Sequence, residues 1–355
     1  PPPPDNSTHP LSSAASDVYK RQQYECRTPE KRSRHKPFEK RSDHSKSLNM
    51  RSKKAKVPMT RPEVGIPVDV ASGVQMVLAP NSGSMTHWGT NSYIVGDKAV
   101  AIVDPGPADA EHLAALMEVI GKREVSHILV THGHADHSAG ASAVSSKTGA
   151  PILGYGTARE GRRAIMQRLA KTGELGGGEG LDEQFAPDTI VREGNHLEVD
   201  GWKIDVVHLP GHFAGQIGFQ FEDMLFSGDH VMDWSSSIVS PPDGHIGDFL
   251  ASCHRIISLG SSQCLPGHGA PLVDPRDRLE WLIVHRNERE AQILNALSSS
   301  WLPIKQIVLR VYKDIPDNLR PAAARNVLAQ LIDLWERSLI EADPELRRGA
   351  LFRLR

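Results

Sequence analysis

From Val64 onwards, short apolar runs alternate with breaks at Gly, Pro and Asp, a texture typical of β-strands. Between two of these runs, apolar residues recur every three or four positions over residues 108–120, which predicts an amphipathic helix. Strands that alternate with helices indicate an α/β fold with two sheets sandwiched between helices. The predicted strands are residues 74–78, 92–95, 99–103, 127–130, 203–208, 217–221 and 224–226.

After about Asp277 the strand pattern stops. Helical periodicity then predicts three helices over residues 279–297, 302–312 and 319–340, and the short charged segment 346–355 is compatible with a hairpin. This order predicts a small winged-helix-like domain over residues 278–355, after a larger α/β domain over residues 59–277. Winged helices often bind DNA, but the third helix carries few cations, which favours packing against the larger domain.

The first 58 residues are rich in Pro, Ser, Lys and Arg and lack hydrophobic periodicity, which predicts a disordered basic tail. Its formal charge is +8, whereas the remaining residues carry −10. Solvated disorder is favoured over binding to an acidic surface. Residues 17–22 resemble the translation of a transposon end used in sequencing libraries. A second interpretation of the tail is therefore that part of it is a read-through artefact, in which case the natural protein would start at Met50 or Met59.

Composition narrows the function classes. The acidic folded part disfavours nucleic acid as the main partner and favours a small-molecule substrate. No apolar stretch reaches the roughly 18 residues that span a bilayer, and no signal-peptide segment is apparent, so we expect no membrane partner and a cytoplasmic location. Cys26, Cys253 and Cys264 form no C-x-x-C pair, so any metal site must rest on His and carboxylate ligands.

The strongest chemical signal is a group of four potential metal ligands within six residues: His132, His134, Asp136 and His137. They directly follow the predicted strand 127–130. A strand end followed by a tight turn lets His132 and His134 reach one metal, while Asp136 and His137 face a neighbouring one. Zinc takes His nitrogen and carboxylate oxygen, and a catalytic site keeps one position for water. A lone H-x-H would favour surface histidines, but four ligands at this spacing favour a metal site.

Three later segments repeat one arrangement, in which a His or Asp follows a strand-like run and a glycine. These segments end at His212, Asp229 and His268. Taken singly, each of these residues is typical of a turn. Behind the first cluster and in this order, each becomes a candidate ligand.

With these motifs and the earlier run Val103-Asp104-Pro105-Gly106, residues 64–275 resemble the metallo-β-lactamase superfamily. The resemblance implies a four-layer αββα sandwich, with Asp104 supporting the ligands from behind. It also implies two metals, one held by His132, His134 and His212, and the other by Asp136, His137 and His268, with Asp229 bridging both.

The C-terminal part, from Val284 to Leu294 and through the later helices, resembles the branch that contains β-lactamase-like endoribonucleases with a winged-helix tail. Two features depart from the commoner pattern. Phe213-Ala214-Gly215 stands where Thr and a small residue are usual, and Gly133 replaces a bulkier residue. Both departures alter the pocket wall, so the substrate of that branch does not transfer directly.

The leading hypothesis is a binuclear zinc hydrolase, with iron or manganese as alternative metals. A metal-bridging hydroxide would attack a small acyl substrate such as a lactone, thioester or β-lactam, and Asp136 would be the catalytic residue that orients the hydroxide and relays a proton. Three alternatives stay open: endoribonuclease-like phosphodiester hydrolysis, iron-dependent oxidoreductase chemistry, and a binding protein without activity. The oligomeric state is also open.

Residues near the cluster have more ordinary interpretations. Ser227 and Cys264 are interpreted as packing residues, and His230 either contacts substrate or satisfies a local hydrogen bond. Loops over residues 82–91, 171–183 and 234–244 are expected to form the pocket walls, with His87, Trp88 and Trp234 as candidate lining residues.

Overall fold

The computed structural model describes residues 59–355 apart from Glu174, Gly176, Gly177, Glu179 and Ser299. The predicted basic tail lies outside the described residues. Two large sheets pack face to face with helices on their outer sides, and a small third sheet follows. The α/β sandwich with a C-terminal winged-helix domain is therefore confirmed.

The first sheet has seven strands in sequence order, antiparallel from β1 to β4 and parallel from β4 to β7. Successive side chains of a strand point to opposite faces of the sheet, so each strand contributes to the packing on both faces. Val100 and Ile102 pack against the flanking helices, whereas Ala101 and Val103 face the other sheet. The strands are β1 (Pro67–Ala71), β2 (Val74–Leu78), β3 (Asn91–Val95), β4 (Ala99–Val103), β5 (Glu124–Leu129), β6 (Ile152–Gly154) and β7 (Thr189–Ile190).

The helices that accompany this sheet are α1 (Ala110–Ile120), α2 (Ala135–Ser138), α3 (Ala141–Thr148) and α4 (Ala164–Ala170). Helix α1 begins where Asp109 accepts a hydrogen bond from the His112 amide, and it buries the predicted apolar stripe that includes Leu113, Leu116 and Ile120. The segment after α4 holds no further helix or strand among its described residues up to Glu183, as expected for a loop.

The second sheet has six strands in the order β13-β12-β11-β10-β9-β8. Phe219 and Phe226 face the first sheet, while Leu225 and Cys264 pack outwards with Phe249. Its elements are β8 (His196–Val199), β9 (Trp202–His208), β10 (Ile217–Phe221), β11 (Met224–Gly228), β12 (Gln263–Pro266) and β13 (Leu272–Val273), with helices α5 (Ile246–Leu259) and α6 (Arg276–Leu297) outside.

The C-terminal unit has β14 (Leu302–Pro303), α7 (Ile304–Val311), a 3-10 turn (Asp317–Leu319), α8 (Arg320–Glu336), β15 (Ile340–Asp343) and β16 (Leu351–Leu354). Its sheet has the order β14-β16-β15. The predicted third helix extended to residue 340, but α8 ends at Glu336 and Ser338 takes a left-handed conformation with φ of 59°. The hairpin therefore begins at Ile340 rather than at residue 346.

Helix α6 crosses the proposed domain boundary at residue 278. Its Leu279 and Leu282 pack on the second sheet, whereas Ile293 and Leu297 belong to the core of the C-terminal unit. One continuous helix thus joins the two cores, and residue 278 stays our proposed boundary. Among the residues that the structure describes, no helix combines the length and the apolar character needed to cross a bilayer.

Candidate metal centre

All the predicted ligands lie at one edge of the sandwich. Strands β4 and β5 are parallel, as are β11 and β12, so the loops after each pair emerge on the same side. The motif beginning at Thr131 follows β5 and leads into α2, while Asp229 and His268 follow β11 and β12. His212 lies in the connection between β9 and β10.

The first ligand group consists of His132, His134 and His212. The His134 Nδ1 atom lies 3.0 Å from His132 Nε2 and 3.2 Å from His212 Nε2. Donation from His212 Nδ1 to the Ile238 carbonyl, at 2.6 Å, leaves its Nε2 lone pair directed at the group. Burial, together with the neighbouring imidazoles, lowers the pKa of His134 to about 3. This side chain is therefore neutral at pH 7, the form that binds a metal.

The second group consists of Asp136, His137 and His268. Asp136 Oδ2 lies 3.3 Å from His268 Nε2 and 3.6 Å from His137 Nε2. His268 Nδ1 donates to the Gly89 carbonyl at 3.1 Å, which again aims Nε2 inwards. Burial alone would lower the pKa of His268, but the carboxylates of Asp229 and Asp136 raise it to about 10. Negative charge concentrated in this way favours a cation.

Asp229 joins the two groups. Its Oδ1 atom lies 3.5 Å from His137 Nε2, and its Oδ2 atom lies 3.3 Å from His268 Nε2 and 3.8 Å from His212 Nε2. One carboxylate therefore contacts both groups, which is the geometry expected of a bridging ligand.

The donor set fits metal ions. His137 Nε2 and Asp229 Oδ1 are buried in the centre of the cluster without a hydrogen-bond partner. Buried polar atoms are normally paired, and divalent cations between the ligand groups would satisfy both. His and carboxylate donors without a thiolate suit zinc, iron or manganese.

Asp104 supports the cluster from behind. It adopts a left-handed conformation with φ of 50°, and its carboxylate accepts hydrogen bonds from the Thr131 amide and hydroxyl, both at 2.7 Å. The same carboxylate accepts from His137 Nδ1 at 2.9 Å. It therefore orients one ligand directly and holds the start of the motif loop in place.

We expect Asp104→Asn to weaken metal binding by about 10- to 100-fold, because the amide cannot accept all three hydrogen bonds with the charge of a carboxylate. Competition with a chromophoric chelator would measure the affinity. Asp97→Asn, at an exposed position on the turn between β3 and β4, is the matched control. Wild-type affinity in Asp104→Asn would contradict the supporting role.

The two departures from the family pattern lie against the first ligand group. The Phe213 ring packs 5.0 Å from the His134 ring and 5.5 Å from the His132 ring, measured between centroids. A Cβ atom on Gly133 would lie 3.0 Å from the Ala158 Cα atom, so the backbone here packs too closely for a bulkier residue. Both features shape the wall beside His134.

A cavity of about 680 Å³ opens over the cluster, and His134, Asp136, His212, Asp229 and His268 line it. Its apolar wall includes Met85, Met232, Trp234 and Ile238. Trp234 lines the cavity as predicted, while His87 stacks on Trp234 with ring centroids 4.7 Å apart and also on Trp88. Each of the three predicted loops contributes to the lining.

One wall of the cavity was not predicted from the sequence, and it is formed by Ala322, Arg325 and Asn326 of α8. Arg325 reaches the Ser240 hydroxyl at 2.8 Å, a contact between residues 85 positions apart. Spacing along the chain carries no signal for such a contact. The C-terminal domain packs against the catalytic domain at this place, as the sparse cations of its third helix had indicated.

His230, Ser227 and Cys264 lie in the core beside the cluster. The His230 ring stacks on Phe249, and burial lowers its pKa to about 3. Burial also raises the pKa of the Cys264 thiol to about 12, so this cysteine is no nucleophile at neutral pH. These positions agree with packing roles, and His230 is not among the described residues that line the cavity.

Comparisons with known proteins agree with this geometry. The model of the metallo-β-lactamase superfamily matches residues 85–283, and the model of the β-lactamase-associated winged-helix domain matches residues 304–348. The chain therefore belongs to the metallo-β-lactamase superfamily. Membership of the superfamily supports the prediction of a hydrolase. The His and Asp groups support the prediction of a metal-binding cluster.

Two relatives illustrate the range of similar proteins. A β-lactamase-like protein 2 homolog of Drosophila melanogaster is 29% identical over 266 residues, covering 73% of this chain and 86% of the relative. An atrochrysone carboxyl ACP thioesterase of Claviceps purpurea is 26% identical over 270 residues, covering 72% and 77%. A metallo-β-lactamase family protein from Thermus thermophilus shares the fold, with a TM-score of 0.65, 23% identity and coverage of 81% and 100%.

Proposed function

We propose that this protein binds two zinc ions and hydrolyses a small acyl substrate, with a thioester as the leading candidate. The observation that carries the proposal is the pair of ligand groups joined by Asp229 at the base of a mainly apolar cavity. The name of the Claviceps purpurea relative, a thioesterase, supports the choice of a thioester over a lactone or β-lactam.

In this proposal, one metal would be held by His132, His134 and His212, and the other by Asp136, His137 and His268. The Asp229 carboxylate, which lies near both groups, would contribute to both sites. Bound metals would lower the pKa of water towards 7 and polarise the acyl carbonyl. Asp136 lines the cavity with 27% of its side chain exposed, and its Oδ2 atom points towards His268. Its other oxygen can accept the proton of the attacking water and pass it to the leaving thiolate.

Two of the candidate ligands, His212 and His268, are held for this task by neutral backbone contacts. The carbonyls of Ile238 and Gly89 fix the rings of His212 and His268. Cys253 and Cys264 are buried, so neither thiol competes for acyl transfer. The chain therefore supplies ligand positioning, negative charge and the partly exposed Asp136 carboxylate.

A panel of thioesters, lactones, β-lactams and single-stranded RNA, combined with elemental analysis, tests the proposal. We expect two zinc ions per chain and turnover of at least one acyl class, lost on chelation and restored by zinc. One iron and no zinc per chain would overturn the hydrolase assignment. RNA cleavage that weakens steeply with added salt, with no acyl turnover, would instead support phosphodiester hydrolysis.

A further inference from the structure

The loop that carries His268 leaves the second sheet where β12 ends, at Pro266. A backbone hydrogen bond from the Gly267 amide to the Gly228 carbonyl, at 2.9 Å, ties the start of this loop to the sheet. The His268 side chain is buried, and its Nε2 atom lies 3.3 Å from the Asp136 carboxylate. A metal ligand has to be held within about 0.5 Å of its working position, so the loop needs further support.

This support comes from the start of β3, in the first sheet. The Asn91 side chain is fully buried, and its Nδ2 atom donates to the Pro266 carbonyl at 3.0 Å and to the Gly269 carbonyl at 2.9 Å. The Asn91 backbone amide donates to the Gly267 carbonyl at 2.8 Å. One residue of the first sheet therefore binds the loop on both sides of His268.

A second side chain of β3 reinforces this contact. The Tyr93 hydroxyl donates to the same Pro266 carbonyl at 2.7 Å and lies 3.4 Å from Asn91 Nδ2. Asn91 and Tyr93 are two positions apart on one strand, so their side chains project from the same face. Backbone carbonyls only accept hydrogen bonds, so the carboxamide must present its nitrogen to the loop. These neutral donors hold the loop without placing a further charge beside the acidic ligands.

We propose that Asn91 is a positioning residue for the second ligand group, and that its carboxamide fixes the place of the His268 imidazole. This inference rests on the metal binding of the proposed function and adds a residue of the first sheet to that site. Asn91 is not among the described residues that line the cavity, so its effect passes through the loop. A side chain without donors removes the partner of the Gly269 carbonyl and one of the two donors to Pro266. The loop then shifts and takes the imidazole with it.

Titration of the metal-free full chain with Co²⁺ alone tests the proposal, because the visible absorption of bound cobalt reports its ligands and their geometry. We expect Asn91→Leu to weaken the Co²⁺ affinity that depends on His268 by about 10- to 100-fold and to change the spectrum. Asn91→Ser, whose hydroxyl is too short to bridge two carbonyls, should act in the same direction. Ser261→Ala loses a side-chain hydrogen bond to Gln220 just before β12 and should bind Co²⁺ as the wild type does.

A double-mutant cycle separates positioning from a general loss of stability. His268→Ala removes the ligand itself, so Asn91→Leu should cause no further loss of Co²⁺ affinity in that background. A merely structural role gives the same loss in both backgrounds. If Asn91→Leu does not fold, as judged by circular dichroism, the cycle with Asn91→Ser decides.

Three results would overturn the proposal: a wild-type affinity and spectrum in the folded Asn91 variants, an equal loss in the His268→Ala background, or a Co²⁺ affinity that does not depend on His268. Failure of the proposed function has a different signature. In that case the wild type turns over no acyl substrate, yet Co²⁺ binding still depends on His268 and Asn91. That outcome would refute the hydrolase proposal and support the positioning role.

Discussion

Replacing Asp136 by Ala should lower kcat by about 10²- to 10⁴-fold, the range typical for removal of a group that transfers protons. The change removes both the carboxylate oxygen 3.3 Å from His268 Nε2 and the second oxygen at the cavity base. The side chain is 27% exposed, so its truncation leaves no closed void in the core and the fold should persist. Steady-state kinetics and metal content on the same preparation measure the effect.

Asp136→Asn separates the two roles of this carboxylate. The amide retains an oxygen for a metal but cannot accept the proton, so we expect kcat to fall with less metal loss than in Asp136→Ala. Asp97→Ala, far from the cavity on an exposed turn, should behave as wild type. Unchanged kcat in Asp136→Ala would refute the proposed site.

Gly267→Ala should lower activity by about 100-fold or more, although it adds a single methyl group. A Cβ atom at this position would lie 2.4 Å from Asp229 Oδ1 and 2.5 Å from His137 Cε1. Both side chains are buried, and His137 is held by Asp104, so they can make room only by leaving their present positions in the cluster. A shift of about 1 Å in such a group is enough for a loss of this size.

Metal analysis should show reduced occupancy in Gly267→Ala, while circular dichroism stays close to wild type. The backbone of Gly267 pairs with Asn91 and Gly228 at 2.8 Å and 2.9 Å, and the substitution leaves these hydrogen bonds available. Gly349→Ala is the matched control, because an added Cβ there meets no atom within 4 Å. Full metal content and activity in Gly267→Ala would show that Asp229 and His137 are not needed in their present positions.

Local pattern predicted much of the fold. Strands over residues 99–103 and 217–221 occur with the predicted bounds, because each buries both faces between layers and ends at a turn. Helix α5 was not predicted, although Ile246, Phe249, Cys253 and Ile256 recur at helical spacing. Its start, where the His245 side chain accepts from the Asp248 amide, is an uncommon cap and offered no familiar signal.

The hairpin of β15 and β16 shows where local periodicity gives a wrong prediction. Apolar spacing continues past Glu336, so the pattern predicted one helix to residue 340. The chain instead turns at Ser338, because Ile340 pairs with Leu354 and Ala342 with Phe352. Strand partners ten or more positions away decide the structure here, and no property of residues 337–340 alone identifies them.

The chemical types and the order of the candidate ligands could be read from the amino-acid sequence, since His and Asp after successive strand ends are local features. Their convergence required the folded chain: His212 lies 3.2 Å from His134 across 78 positions because the edges of two packed sheets meet there. Folding also placed Arg325 at the cavity, through the burial of α8 against the second sheet. Contacts of this kind depend on which apolar faces pack together, and that choice is made by the whole core rather than by any local segment.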